Sequence, residues 1–279
     1  MTAFYKMHGL GNDFAVFEAR LHGLALDEAA ARAVADRRLG VGCDQVIVIE
    51  KPLGASDAGM RIYNADGDEV ESCGNAARCV ARLLMEEKDA VEVRIDTLGG
   101  LLVCRDAGHG AVTVDIGPPK LAWQDIPLAH AVDTNHFGIE AGGQHYDAAA
   151  VSVGNPHCVL FVDDAETSDV AGLGAQIERG PLFPARTNVE FATVLTPTSL
   201  RMRVWERGVG VTRACGTGAC AVAVAAHRRG LTEREVDIVL DGGTLAIAWR
   251  AGDDHVLMTG AATLAFAGDI DLGRLGTAA

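Results

Sequence analysis

Two cysteines occupy near-copies of one local sequence, Ser72-Cys73-Gly74-Asn75 and Ala214-Cys215-Gly216-Thr217, about half the chain apart. Each Cys-Gly is followed by a small polar residue and then by an Ala-rich stretch that reads as helix. A free thiol has a pKa near ~8.5, so only a small fraction is thiolate at neutral pH. Lowering that value by ~1.5 units takes about 2 kcal/mol of differential stabilisation. A helix N-terminus supplies ~0.3–1 kcal/mol, up to ~2 where partly buried. Glycine after each cysteine lets the backbone pass close to a ligand. The next backbone N–H groups, of Asn75 and Thr217, are helix-terminal donors suited to a carboxylate. Two thiolates in one pocket repel, so one sulfur loses its proton while the other keeps it. A thiolate on one face of a carbon and a thiol on the other is what a two-base racemase needs, each sulfur ~3–3.5 Å from that carbon.

The other five cysteines have plainer readings. Cys79 and Cys220 fall inside the two helices, and Cys104 and Cys158 in strand-like runs, all fitting core packing. Cys43 stands in a Gly-rich loop. A zinc site built on Cys73…Cys79 and Cys215…Cys220 is the rival use of the sulfurs, but it would need a turn where helix is expected. The expectation is therefore no metal. Gly9-Leu10-Gly11-Asn12 lacks the third glycine and the strand–turn–helix setting of a phosphate loop. His157, beside Asn155-Pro156, and Glu206-Arg207 are polar groups in turn-like settings.

Short β-runs with isolated helices must position these groups. Strands are expected at 14–17, 45–49, 60–63, 91–95 and 112–116, and again at 159–162, 189–195, 200–205, 236–240, 245–249 and 255–258. Helices are expected at 27–36, where Asp27 suits an N-cap, at 76–88, at 165–177 and at 217–229, the last closed by Gly230. Gly117-Pro118-Pro119 breaks any regular element and marks a boundary. The pattern predicts an α+β fold of two pseudo-symmetric domains, each wrapping strands around a central helix, with the helix N-termini facing across a cleft.

The 279 residues are 49% hydrophobic and 22% charged, as in a globular protein. A net charge of −14, from 24 basic and 38 acidic residues with no basic stripe, argues against nucleic-acid and anionic-membrane binding. Residues 1–17 do not read as a signal peptide, and the most apolar run, 219–226, is too short to span a bilayer. A cytoplasmic protein with reduced thiols is expected.

The chain resembles the diaminopimelate epimerases, pyridoxal-independent enzymes of bacterial lysine and cell-wall synthesis. The matching segments are Met7–Phe14, Gly42–Gln45, Asn64–Gly67, Cys73–Cys79, Gly154–His157, Arg186–Phe191, Glu206–Gly208 and Ala214–Cys220. The resemblance implies interconversion of LL- and meso-diaminopimelate without a cofactor, with Cys73 and Cys215 as the acid–base pair. It implies substrate contacts from Asn12, Gln45, Asn64, Gly74, Asn75, Asn155, Asn188, Glu206, Arg207, Gly216 and Thr217. It implies that His157 and Glu206 tune the thiols, and that a homodimer forms with Phe266 where a tyrosine often serves the interface. The implied domains are 1–117 plus about 263–279, carrying Cys73, and 118–262, carrying Cys215. Ala76, Val211 and Ala261 depart from the usual glycine, glutamate and proline. Val211 matters most, because a carboxylate lost near Cys215 changes its field. Proline racemases and hydroxyproline epimerases also use two cysteines, but their first motif is usually Met-Cys-Gly-His-Gly. A metal-binding or purely binding protein of the same fold is the alternative of another class.

Overall fold

The computed structural model describes residues 1–24, 26–71 and 73–275, so Ser72 of the first motif and the end of the expected first domain lie outside the described residues. The chain divides into two compact units: Met1–Val114 with the chain's return from Gly260 onward, and Asp115–Thr259. The first crossing comes just before Gly117-Pro118-Pro119.

The first unit begins with β1 (Thr2–Gly9) and β2 (Asn12–Glu18), an antiparallel hairpin in which Gly9 pairs Asn12. Leu10 and Gly11 both have positive φ (57° and 83°), the backbone of a two-residue hairpin turn. Gly9-Leu10-Gly11-Asn12 is thus a turn that sets strand register. Helix α1 (Glu28–Ala35) follows, with the Asp27 carboxylate accepting from the Ala30 N–H as the expected N-cap. Next come β3 (Gln45–Glu50), parallel to β2, and β4 (Ala58–Asn64), antiparallel to β3, with the short β5 (Glu69–Val70). Helix α2 (Gly74–Lys88) leads to β6 (Glu92–Thr97), which runs parallel to β4 and antiparallel to β7 (Gly100–Gly108); β8 (Ala111–Asp115) ends the run. The late strand β18 (Thr263–Ile270) returns to pair antiparallel with β1.

The second unit repeats this order. Strands β9 (Phe137–Ala141) and β10 (Gln144–Ser152) pair, and β10 pairs β11 (Pro156–Phe161). After α3 (Val170–Glu178), β12 (Asn188–Thr196) runs parallel to β11 and antiparallel to β13 (Ser199–Glu206), which carries the short β14 (Gly210–Thr212). Helix α4 (Gly216–Arg228) then leads to β15 (Glu235–Leu240), parallel to β13, and to β16 (Gly243–Trp249) and β17 (Val256–Ala261). Each half therefore runs through the same succession of antiparallel and parallel pairs around one central helix. Mixed pairings with four α-helices among the described residues make the α+β class.

Both central helices are built to be enclosed. Every residue from Ala219 to Ala226 of α4 is buried, and α2 buries Ala76 through Ala81 with Leu84. A helix as apolar all round as α4 is a buried helix, while α2 buries its first two turns and exposes its charged end at 86–88. Among the described residues no helix is long and apolar enough to cross a membrane.

Several expectations about elements need correction. Helix α3 starts at Val170, not at 165, because the Asp169 carboxylate accepts from the Gly172 N–H and caps it there, while Ser168 turns back onto the Asp164 carbonyl. Strands β1, β5, β7, β9, β10, β14 and β18 escaped the sequence reading. Strand β10 shows why: Ala148-Ala149-Ala150 favours helix locally, yet all three are fully buried between β9 and β11.

Candidate active site

Topology brings the polar residues of each half to one end of its strands. Parallel β2 and β3 start at Asn12 and Gln45, while antiparallel β4 ends at Asn64. In the second unit, Asn155 precedes β11, Asn188 opens β12 and Glu206 closes β13. The two registers match: Phe14 pairs Gln45, and His157 pairs Asn188. Cys73 is the N-cap of α2 and Cys215 the N-cap of α4, both with extended backbone. Each helix starts at the glycine after its cysteine, a little earlier than expected, so the helix-terminal N–H groups lie beside the sulfur.

In the first unit, Asn12 Oδ1 accepts from Asn75 Nδ2 at 3.1 Å and has Cys73 Sγ at 3.9 Å. Gln45 Nε2 donates to Asn64 Oδ1 at 2.9 Å, and the side-chain Oε1 of Gln45 is a buried acceptor without a protein partner. An ion network fixes this end. Asn12 Nδ2 donates to Asp44, Lys6 and Arg37 reach Asp13 at 2.6 and 2.7 Å, and the backbone N–H groups of Asp13 and Asp44 donate to each other's carboxylates. Burial pushes the Asp13 carboxyl up, but the bonds from Arg37 and Lys6 outweigh it and hold it at about 2, below the ordinary 3.8. A depressed carboxyl stabilises the fold above its unfolded value, and that contribution disappears as pH falls from 3.8 to about 2. Asp13→Asn is therefore expected to cost about 2 kcal/mol near neutrality and to flatten the acid limb of stability. Urea titrations across that range check both.

The second unit adds acid–base groups where the first has apolar ones. His157 and Glu190 are fully buried, and Nδ1 lies 2.6 Å from Glu190 Oε1. Their counterparts by register are Phe14 and Ile47. Nε2 of His157 faces Asn155 Oδ1 at 2.9 Å, and Asn155 Nδ2 donates to Thr217 Oγ1 at 3.3 Å. Thr217 Oγ1 stands 3.6 Å from Cys215 Sγ, which also accepts from the Gly218 N–H at 3.4 Å. A Cβ on Gly218 would come within 2.8 Å of Glu190 Oε1 and 3.3 Å of Cys215 Sγ. That close approach is why the motif continues Cys-Gly-Thr-Gly.

Burial raises the Cys215 thiol well above the ordinary value, and the carboxylates of Glu206 and Glu190 push it the same way. Burial also raises Glu206, against hydrogen bonds from Thr212 and Cys215 that lower it. At rest Cys215 is thus held as the protonated thiol. Burial likewise pushes Cys43 up to about 11 and Cys79 to about 12, which leaves them inert packing thiols. None of the seven cysteines is in a disulfide.

One expected contact has prior commitments. Asn188 donates to the Pro156 carbonyl and accepts from the Arg207 N–H, so it shapes the loop that carries Arg207. Val211 pairs Trp205 and is 45% exposed, while its neighbour Thr212 donates to Glu206. Strand alternation turns Val211 away from the carboxylate. The sequence reading gave no role to Glu190, Gly218 or Thr212. The spacing of His157 and Glu190 carries no signal until β11 and β12 are known to be parallel.

A family model for diaminopimelate epimerase matches residues 4–122 and 149–265. A diaminopimelate epimerase from Rhodospirillum centenum is 56% identical over 96% of this chain and 91% of its own. Another, from Acidiphilium cryptum, is 52% identical over 98% of this chain and 97% of its own. Among solved structures, a probable proline racemase from Agrobacterium radiobacter K84 superposes with TM-score 0.72 at 16% identity, covering 99% of this chain and 95% of that one. A hydroxyproline epimerase from Agrobacterium vitis reaches 0.66 at 18% identity, covering 96% and 90%. At such identities these two share the fold alone. The family match over ranges that span both cysteine motifs, with relatives more than half identical across nearly the whole length, is decisive: the chain belongs to the diaminopimelate epimerase family.

Proposed function

We propose that this chain interconverts LL- and meso-diaminopimelate, with Cys73 and Cys215 as the two groups that exchange protons at the α-carbon. The observation that carries the reading is the repeated unit itself, which presents a thiol at a helix N-terminus in each half. One sulfur, as thiolate, removes the α-proton, and the other, as thiol, delivers a proton from the opposite face. The backbone N–H groups of Gly74, Asn75, Gly216 and Thr217 hold the α-carboxylate and favour the charge that builds on it during proton removal. Asn12, Gln45, Asn64, Asn155, Asn188, Glu206 and Arg207 read the distal carboxylate and ammonium, a zwitterion suited to amides with one cation and one anion. His157 and Glu206 set the protonation of the thiols. Proton transfer of this kind needs no cofactor or metal.

The test is solvent deuterium exchange. The purified protein is expected to wash deuterium into the α-carbon of either stereoisomer and to interconvert them with nothing added. Exchange on proline but not on diaminopimelate would transfer the assignment to the racemases of the same fold.

The reading extends to a homodimer through the β1–β18 face. There Phe266 is 51%, Leu264 44% and Tyr5 38% exposed, and Phe266 packs edge-on against Phe4 with centroids 6.1 Å apart. Phe266→Asp is expected to give monomers in sedimentation, whereas a dimer unchanged by it would remove this face from consideration. A cytoplasmic setting keeps both thiols reduced, and cell fractionation checks it.

A further inference from the structure

We propose that Glu190 is a positioning residue for the Cys215 thiol: through His157 and Asn155 it sets the direction of a hydrogen-bond chain that leaves the Thr217 hydroxyl free to donate to Sγ. The inference rests on the reading of Cys215 as an acid–base thiol, and it concerns what controls that thiol.

The chain runs link by link within the second unit. Asn155 Oδ1 accepts only, so the 2.9 Å contact requires an N–H at His157 Nε2. With Nε2 protonated, Nδ1 meets Glu190 Oε1 at 2.6 Å in one of two ways. Either imidazolium donates to carboxylate, or a protonated Glu190 donates to neutral imidazole. Both leave the pair with no net charge, which is the form a fully buried site favours. The buried Glu190 Oε2, which has no hydrogen-bond partner, fits a carboxyl that shares a proton through its other oxygen.

Fixing Nε2–H fixes the Asn155 amide, because Oδ1 must face the imidazole. Nδ2 then donates to Thr217 Oγ1 at 3.3 Å. A hydroxyl that accepts from Asn155 keeps its own hydrogen, and Cys215 Sγ is 3.6 Å away. That bond strengthens as the sulfur becomes anionic, together with the bond from the Gly218 N–H. Without Glu190, Nδ1 holds the only imidazole hydrogen as readily as Nε2 does. The amide then turns over, and Thr217 donates to Asn155 in place of the sulfur.

The other groups facing the thiol are accounted for. The Glu206 carboxylate on β13 opposes thiolate formation by charge, and the Glu190 carboxyl on β12 does so only to the extent that His157 leaves its charge uncompensated. On the other strands packed against α4, Asp147 of β10 meets Arg229 at the far end of the helix, and Glu235 and Asp237 of β15 are exposed. The counterpart positions in the first unit, Phe14 and Ile47, carry no such chain. The device therefore belongs to one thiol of the two.

The test reads Cys215 ionisation by thiolate ultraviolet absorbance against pH in the full chain, each variant measured against its own Cys215→Ala control. Thr217→Val is expected to lower the thiolate fraction at fixed pH about tenfold, the scale of one charge-assisted bond, and Thr217→Ser to keep it. Glu190→Met is expected to lower it similarly, and to add nothing on top of Thr217→Val. Should Glu190→Met fail to fold, His157→Phe with Glu190→Ile removes the chain while restoring an apolar pair, with the same fall expected. A higher thiolate fraction in the Glu190 variants, as simple removal of a negative charge would give, overturns the proposal. So does a Thr217→Val protein that titrates like the parent, or full additivity. Failure of the two-thiol reading is distinguishable, because it appears as interconversion surviving in the Cys215→Ala control.

Discussion

Removing either thiol alone is expected to abolish interconversion while sparing hydrogen exchange on one stereoisomer. On the proposed mechanism, the remaining sulfur in Cys73→Ala can still take the α-proton that faces it, exchange it with solvent and return it to the same side, and inversion fails for want of a second proton donor. Cys215→Ala should show the same loss with the other stereoisomer. The expected fall in interconversion is about 10³-fold, within the 10²–10⁴ attributed to a positioned acid–base group. Exchange should fall far less for the isomer that faces the surviving thiol. Chiral chromatography combined with mass spectrometry of the α-deuterium separates the two quantities. Equal exchange into both isomers by either variant would show that a single base reaches both faces, and the two-thiol mechanism would be lost. The surroundings give the two variants unequal character: burial, Glu206 and Glu190 hold Cys215 as the protonated thiol, so on the proposed mechanism Cys215→Ala removes the proton donor.

The second large effect is on stability. His157→Leu is expected to cost about 3–5 kcal/mol, because it leaves Glu190 buried without its partner. Burial already raises the Glu190 carboxyl and His157 opposes that rise, so losing the imidazole raises it further. A carboxyl raised in the folded state keeps a proton that the unfolded chain releases. The variant should therefore lose stability as pH climbs from the ordinary carboxylate value through the raised one. It should be least impaired in acid, where both states hold the proton. The internal repeat supplies the remedy. Phe14 and Ile47 fill the counterpart positions in the first unit, both fully buried. His157→Phe with Glu190→Ile is accordingly expected to recover most of the lost stability and to remove the pH dependence. Denaturant titrations at several pH values measure this. A double variant no more stable than His157→Leu would mean that the second unit has shaped its interior around the polar pair, and the repeat would then be a poor guide to packing.

The sequence made some of this legible and hid the rest for identifiable reasons. Helices α2 and α4 were readable because a cysteine, a glycine and a run of alanine and valine are all local signals. The two thiols could be assigned to chemistry because the same signal occurs twice. Strands β1 and β18 were not readable: β1 changes register between Lys6 and Met7, and most of β18 is exposed, so neither keeps a clean alternation. Strand β10 was hidden by three alanines whose local preference is overruled by complete burial. Val211 is a different case. Its replacement of a carboxylate looked threatening in sequence, and alternation along β14 turns it from Glu206.

By itself, the sequence determined the family and the two Cys-Gly helix starts, and it named the polar residues of the matching motifs, since each motif is a short run of residues adjacent in the chain. Only tertiary structure decided which of those residues work as a unit. His157 and Glu190 lie 33 positions apart, and they meet because β11 and β12 run parallel in one register. The same register in the first unit brings together Phe14 and Ile47, which are apolar. A local motif can be copied within one chain, but the partner that touches it is set by strand pairing. That is why two nearly identical cysteine motifs end in unequal electrostatic surroundings.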